Sequence, residues 1–179
     1  MTVVRSQGEL LKKILWFIPA LLPVHNLEEA LTMPVWVEEN LWKVREVIPL
    51  FNHLQFSTPQ LYLSLVLVTV VPFMVSFFCL RGELTERKVN ILLTLQTIIF
   101  WNALVPHVSG VILLHMYNPG TISAVLINLP FSLYLLRYLL KHNILTHKQI
   151  GIVLVLGLIV YFPVVYVNHL LASLIVNSV

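Results

Sequence analysis

The run LYLSLVLVTVVPFMVSFFCL, residues 61–80, carries no charge over twenty positions. A bilayer core needs a helix of about 20 apolar residues. Nothing in the run suggests chemistry, and Pro72 is expected to bend it. The rest of the chain is of the same kind. Hydrophobic residues make up 58% and charged residues 11%, with a mean hydropathy of +0.88. Soluble domains carry about 25% charged residues. This chain lacks the polar side chains to cover a water-facing surface, so the reading is an all-α integral membrane protein. At 179 residues it is expected to form a single transmembrane helical domain, residues 1–179.

Working outward from 61–80, four more spans are read. The first covers about 14–33, and Pro34 is expected to stop or kink it. The third covers 89–116, the fourth 121–140 and the fifth 150–176. Between the first and second spans the charge density rises, with Glu38, Glu39, Lys43, Arg45 and Glu46. Trp36, Val37, Leu41 and Val44 recur there at helical spacing. That predicts an amphipathic helix over 35–48 at the membrane interface, with Trp36 and Trp42 as anchors. Because it follows the first span directly, it is also placed to act as a lid. His53, in the loop after it, is read as solvated.

The charge pattern sets an orientation. With five spans and a cytoplasmic N-terminus, the inner segments hold Arg5, Lys12, Lys13, Arg81, Arg87, Lys88, Arg137, Lys141 and Lys148. Only Lys43 and Arg45 fall outside. This is the positive-inside bias, and with five spans it puts the C-terminus outside. No cleavable leader is read, because Pro23, His25 and Glu28 follow the first apolar run where small residues would be needed.

Composition also excludes chemistry. Cys79 is the single cysteine, which rules out disulfides and thiolate zinc sites. The chain contains no aspartate, so Asp-rich diphosphate–magnesium motifs and Asp-containing triads are absent. The net charge of +3 sits in loops and suits membrane orientation, not nucleic acid.

The candidate chemistry begins at His25-Asn26-Leu27-Glu28-Glu29. His25, Glu28 and Glu29 stand at i, i+3 and i+4, one turn apart on a helix face. Ionisable residues within a span mark functional sites by default. Two adjacent carboxylates resist ionising together, so one tends to keep a proton, as a general acid must. By depth, His107 and His115 of the third span (which also holds Asn102), Asn128 of the fourth, and Asn168 and His169 of the fifth are compared with the motif, and they share its layer. His107 lies roughly 12 Å below His115 at the helical rise. These groups either hydrogen-bond the helices together, at about 0.6 kcal/mol each, or line a pocket open to lipid or the outer surface. His25, Glu28 and His107 offer a ligand set for one divalent metal, zinc or iron. The pattern is not HExxH.

The His25–Glu29 run, the helix with Asn102 and His107, and Tyr117-Asn118-Pro119-Gly120 together resemble the bacterial HXXEE-domain membrane protein family. The resemblance runs from about residue 14 to 140. It marks His25, Glu28, Glu29, a second histidine (here His107 in preference to His115) and Tyr117. The family is a domain of unknown function, so it implies no activity.

The leading expectation is an enzyme, an isomerase, cyclase or hydrolase, acting on an isoprenoid, sterol-like or acyl substrate. His25 and one of Glu28 and Glu29 act as acid and base, with His107 as a further catalytic group. Asn102, Tyr117, Asn128, Asn168 and His169 contact the substrate. The architecture looks like the emopamil-binding isomerase type, an analogy of fold alone. Three rivals stand beside it. A small transporter or ion-binding protein would need polar residues continuing inward, where Gln96 is the candidate. A CAAX-type protease lacks its arginine, since Met33 stands there. A lipid-binding or immunity module would use the motif only to hold helices. Partners are membrane lipid or a lipid-soluble small molecule.

Overall fold

The computed structural model describes residues 2–49, 52 and 56–178, with side chains from residue 8 onward. Among these residues all regular structure is helical. Helix α1 (Thr2–Leu15) leads through Trp16 into α2 (Phe17–Val47). Helix α3 (Thr58–Leu80) starts at Ser57, whose Oγ accepts from the Gln60 amide, with Pro59 in the first turn. Helix α4 (Glu86–Asn102) starts at Thr85 in the same way and passes into a π-helical segment, Ala103–Val108, and then α5 (Ser109–Leu114). Helix α6 (Thr121–Ser123) continues through a second π-helical segment, Ala124–Asn128, into α7 (Leu129–Lys141). The last helix, α8 (His147–Asn177), opens with a reciprocal capping box between Thr146 and Gln149.

Five helical stretches are long and apolar enough to cross a membrane: Gly8–Val47, Thr58–Leu80, Glu86–Leu114, Thr121–Lys141 and His147–Asn177. They correspond one to one with the spans read from the sequence. Their outward faces carry exposed apolar side chains such as Val66, Val70, Ile112, Leu126, Ile159 and Phe162. Water would not favour such a belt and a hydrocarbon solvent would. The chain is a membrane protein.

One expected boundary is different. The helix is not stopped at Pro34, and residues 35–47 are the C-terminal part of α2 instead of a separate helix. An interior proline costs about 3 kcal/mol. Contacts beyond it offset that cost: Trp36 Nε1 donates to the Tyr117 carbonyl at 2.7 Å, and Lys43 Nζ to the Leu114 carbonyl at 2.8 Å. Leu114 ends α5, where carbonyls lack helical partners and a cation is favoured. The extension is thus a fixed strap along the turn after α5. His53 lies outside the described residues.

The bundle has two unlike ends. At one, Leu15, Ile18, Leu80, Leu92, Leu93, Leu135 and Leu139 form a dry core with Leu145 and Ile150. Lys12 Nζ reaches the Gly82 carbonyl at 2.9 Å, so the N-terminal arm and the Arg81–Lys88 turn share this end. Apart from Tyr138 in this cluster and Ser76 of α3, the buried polar groups gather away from it. Helix α4 runs along α8, where Thr97 Oγ1 donates to the Val153 carbonyl at 3.3 Å and Trp101 Nε1 to the Leu154 carbonyl at 2.8 Å. Gly157 makes this approach possible, since a Cβ there would stand 2.2 Å from Thr97 Oγ1 and 3.1 Å from its backbone carbon. Gly157→Ala is therefore expected to cost about 1–3 kcal/mol by overpacking and to lower the melting temperature in detergent. Gly151→Ala, where a Cβ meets nothing within 4 Å, serves as the neutral control.

Candidate functional site: a His–Glu–His centre behind a pinned turn

The site begins with α2, which presents the two glutamates of the motif in different directions. A helix turns by about 100° per residue, so neighbours cannot face the same partner. Glu28 faces the start of the helix at 121–141. Its Oε1 accepts from the Tyr117 hydroxyl at 2.7 Å and the Ile122 amide at 3.1 Å. Its Oε2 accepts from the Ser123 amide at 2.7 Å and the Ser123 hydroxyl at 2.5 Å. A helix start offers unpaired amides and a positive dipole end, so the carboxylate serves as a cap supplied by another helix. Burial holds the Tyr117 phenol above its ordinary pKa and keeps it a donor.

Glu29 and His25, four residues apart, face inward together. Glu29 Oε1 lies 3.8 Å from His25 Nε2 and 3.3 Å from His107 Nε2. All three residues are buried, and the two imidazoles meet edge to face with centroids 4.7 Å apart. His107 arrives from the π-helical segment Ala103–Val108, which forms around Pro106. A proline has no amide to give the ladder, and such segments recur at functional sites.

The partners on the far sides of the rings decide their protonation. His107 Nδ1 is 2.7 Å from the Pro119 carbonyl, a pure acceptor, so Nδ1 carries the hydrogen. His25 Nδ1 is 2.9 Å from Ser123 Oγ. That hydroxyl already spends its proton on Glu28, so it accepts from His25 Nδ1. Each neutral ring therefore turns its Nε2 lone pair inward. Two lone pairs and a carboxylate oxygen converge, with one donor among them: Asn102 Nδ2, at 3.3 Å from His25 Nε2 and 3.1 Å from His107 Nε2. Asn102 is oriented by Tyr161, whose hydroxyl donates to Oδ1 at 3.3 Å. Acceptors facing one another at these distances call for a positive species between them, a proton or a cation.

The turn Tyr117-Asn118-Pro119-Gly120 closes the centre. Gly120 has φ +79°, and a Cβ there would stand 2.7 Å from His107 Cε1 and 2.9 Å from both His25 Cε1 and Glu29 Cγ. Only glycine tolerates both the backbone and the approach. Asn118 pins the turn by donating to the Pro106 carbonyl at 2.6 Å.

The structure thus brings together His25, Glu28, Glu29, Asn102, His107 and Tyr117. The atoms arranged for a metal are those of His25, Glu29 and His107, all within 4.8 Å of one another. Glu29 takes the place in that set expected for Glu28, which is consumed by its four donors. His115 is exposed at the left-handed end of α5, with φ 53°. Three residues expected to contact substrate lie elsewhere. Asn168 donates to Ser64 Oγ at 2.6 Å on α3. His169 lies beside Gln60 on the same helix, at 3.2 Å. The Asn128 carbonyl accepts from Ser132 Oγ at 2.6 Å. Ser123 and Tyr161 were missed as partners. A helix start just after Gly120 was the available signal for Ser123, whereas Tyr161 had only its depth.

Comparison with known proteins agrees with the motif. The family profile described as "Protein of unknown function with HXXEE motif" matches residues 16–135. The chain is 21% identical over 137 residues to "Uncharacterized protein YrkK" of Bacillus subtilis (strain 168), covering 76% of this chain and 81% of that protein. No solved structure matches the chain.

The two glutamates should separate by substitution. Glu28→Gln is expected to destabilise the fold by about 1–3 kcal/mol, because it replaces a charged acceptor with one that presents an amide to donors. Glu29→Gln should leave melting nearly unchanged when it and the wild type are both compared after chelator treatment. Equal losses in the two variants, read by thermal unfolding in detergent, would contradict this division.

Proposed function

The chain belongs to the HXXEE family, and we propose that it is an integral-membrane enzyme whose His25–Glu29–His107 centre acts on a lipid-soluble substrate. The observation that carries this reading is the inward convergence of Glu29 Oε1 and two imidazole Nε2 atoms. Each ring is fixed from behind by an acceptor that serves no other ring. Helix glue asks only that polar groups be satisfied, and three facing acceptors are a poor way to achieve that.

The chemistry such a centre supports is proton transfer. A double-bond shift needs one proton added at one carbon and another removed elsewhere, with no co-reactant. Glu29, holding the proton between the three acceptors, is the acid, and a histidine Nε2 is the base. Asn102 positions both rings. Glu28 and Tyr117 hold the turn that backs the centre. The apolar residues Leu27, Leu31, Ile122 and Leu126, exposed beside the motif and the turn, suit approach from the lipid by an isoprenoid, sterol-like or acyl compound.

A relay for protons or ions is the second reading. It is favoured by buried polar atoms without partners among the described residues, Gln96 Oε1 and Asn128 Nδ2, beside the Gln96–Ser132 bond of 2.7 Å. Membranes from cells carrying the wild type or Glu29→Gln at equal levels are to be compared by untargeted lipid mass spectrometry. A lipid species accumulating in the variant, with a related one depleted, is the expected result. Identical lipid profiles would overturn the enzyme reading.

We further place the protein in a bacterial cytoplasmic membrane with its N-terminus inside. The support is the basic arm, turn and loop gathered at one end of the bundle. A thiol introduced as Ser178→Cys in a Cys79→Ala background should react with an impermeant maleimide on intact cells. Labelling only after lysis would reverse the orientation.

A further inference from the structure

We infer that the His25–Glu29–His107 centre is a divalent-metal site of the nitrogen–oxygen type, taking zinc or iron(II) in a four-coordinate shell. The inference rests on the same centre as the proposed function and names another occupant of it: with an ion bound, Glu29 and the two Nε2 atoms are ligands, and the acid–base roles given above belong to the ion-free centre.

The distances are those of a ligand cage. A four-coordinate ion with ligands about 2.0–2.1 Å away holds them roughly 3.3 Å apart. Glu29 Oε1 stands 3.3 Å from His107 Nε2 and 3.8 Å from His25 Nε2. A shift of a few tenths of an ångström by the flexible carboxylate evens these two edges, and the third, between the two Nε2 atoms within 4.8 Å of each other, closes by rotation of the rings. The donor atoms are also in the right state. Metal-bound histidine coordinates through a neutral ring nitrogen and gives its other N–H to a carboxylate, carbonyl or hydroxyl. His107 gives Nδ1–H to the Pro119 carbonyl. His25 gives Nδ1–H to Ser123 Oγ, which in turn donates to Glu28. The motif's first glutamate thereby acts on the site through two hydrogen bonds, as an outer ligand of the His25 ring.

The fourth corner belongs to the Asn102 side chain. Its NH2 group occupies both Nε2 lone pairs, and an ion must displace it. Turning the amide over presents Oδ1 to the ion and Nδ2 to Tyr161. The Tyr161 hydroxyl accepts as readily as it donates, so Asn102 keeps a partner in either orientation. Gly120 supplies the room, since a Cβ there would press on both histidines and on Glu29. One carboxylate and two neutral imidazoles leave a divalent ion with a single net positive charge. The Glu28 carboxylate, reached from His25 through Ser123, balances that remaining charge.

The test uses the full-length chain purified in detergent. Elemental analysis of the isolated protein is followed by chelator stripping and titration with cobalt(II). Cobalt is a spectroscopic stand-in whose four-coordinate form absorbs in the visible. One ion per chain is expected in wild type, with a four-coordinate spectrum that zinc displaces. Glu29→Gln and His107→Gln should lose stoichiometric uptake. Glu28→Gln should retain the spectrum with affinity about 10–100-fold weaker, as for other outer-ligand changes. Stripped wild type that takes up no cobalt, or uptake unchanged in Glu29→Gln and His107→Gln, overturns the inference. Should those variants fail to fold, the wild type still decides. Saturating zinc must raise its melting temperature after stripping, because a ligand that binds only the folded state stabilises it, and an unchanged midpoint overturns the site. The lipid comparison fails separately. A lipid change without metal uptake leaves an acid–base enzyme, whereas uptake without a lipid change leaves a metal-binding protein.

Discussion

The carboxylate of Glu28 is the interaction on which the site is built. It joins α2 to the first turn of the helix at 121–141 through two backbone amides, and adds the hydroxyls of Ser123 and Tyr117. In lipid there is no water to satisfy those amides if the helices separate, so the cap is worth more there than its count of hydrogen bonds suggests. Everything nearer the centre takes its position from this contact. Ser123 is oriented by Glu28 and then holds His25. The turn before Thr121 is brought within reach of His107 through the Pro119 carbonyl, and Trp36 fixes the same turn from outside.

Such a design explains why the motif needs adjacent glutamates. A spacing of four carries Glu29 to the face of His25. A spacing of three carries Glu28 to the flank of that face, where the neighbouring helix begins. One glutamate alone, at either position, would supply only the fastening or only the inward-facing oxygen. A separate fastening also leaves the Glu29 side chain without a fixed donor among the described residues, facing only two Nε2 lone pairs, and an oxygen kept unsaturated in this way is able to take a proton or an ion.

Much of this was legible in the sequence. The five spans follow from apolar length, and the pooling of basic residues at one end follows from the positive-inside pattern. The structure places His107 beside His25 and Glu29 and leaves His115 exposed at the end of α5, a difference that depth along the span already expressed. Depth was a weaker guide elsewhere. Asn168 and His169 lie at a suitable level, yet they turn towards Ser64 and Gln60 on α3. Helix rotation about its own axis, which the sequence of α8 leaves undetermined because apolar residues surround it, decides between those faces. The same ambiguity concealed Tyr161. Pro34 misled for another reason. The ring's local cost is readable from one residue, whereas the contacts from Trp36 and Lys43 that offset it span more than seventy positions.

The division between a dry end and a polar end also bears on how the centre would work. At the dry end, leucines from α1, α3, α4 and α7 pack with Tyr138 as the polar member of the cluster, so movement there would chiefly cost packing. The π-helical segments at Ala103–Val108 and Ala124–Asn128 lie on either side of the turn, at the polar end. In each, the backbone has already given up regular α-helical pairing, which lowers the cost of a small local readjustment. Any change needed to admit a substrate or to turn the Asn102 amide falls most easily on these two segments, with the leucine core as the fixed body against which they shift. The functional residues are therefore held on the adjustable half of a rigid bundle. His25 and Glu29 stand on the long, continuous α2, and His107 and Asn102 stand beside or within the first readjustable segment. A centre assembled in this way joins a continuous helix to a segment whose backbone pairing is already irregular.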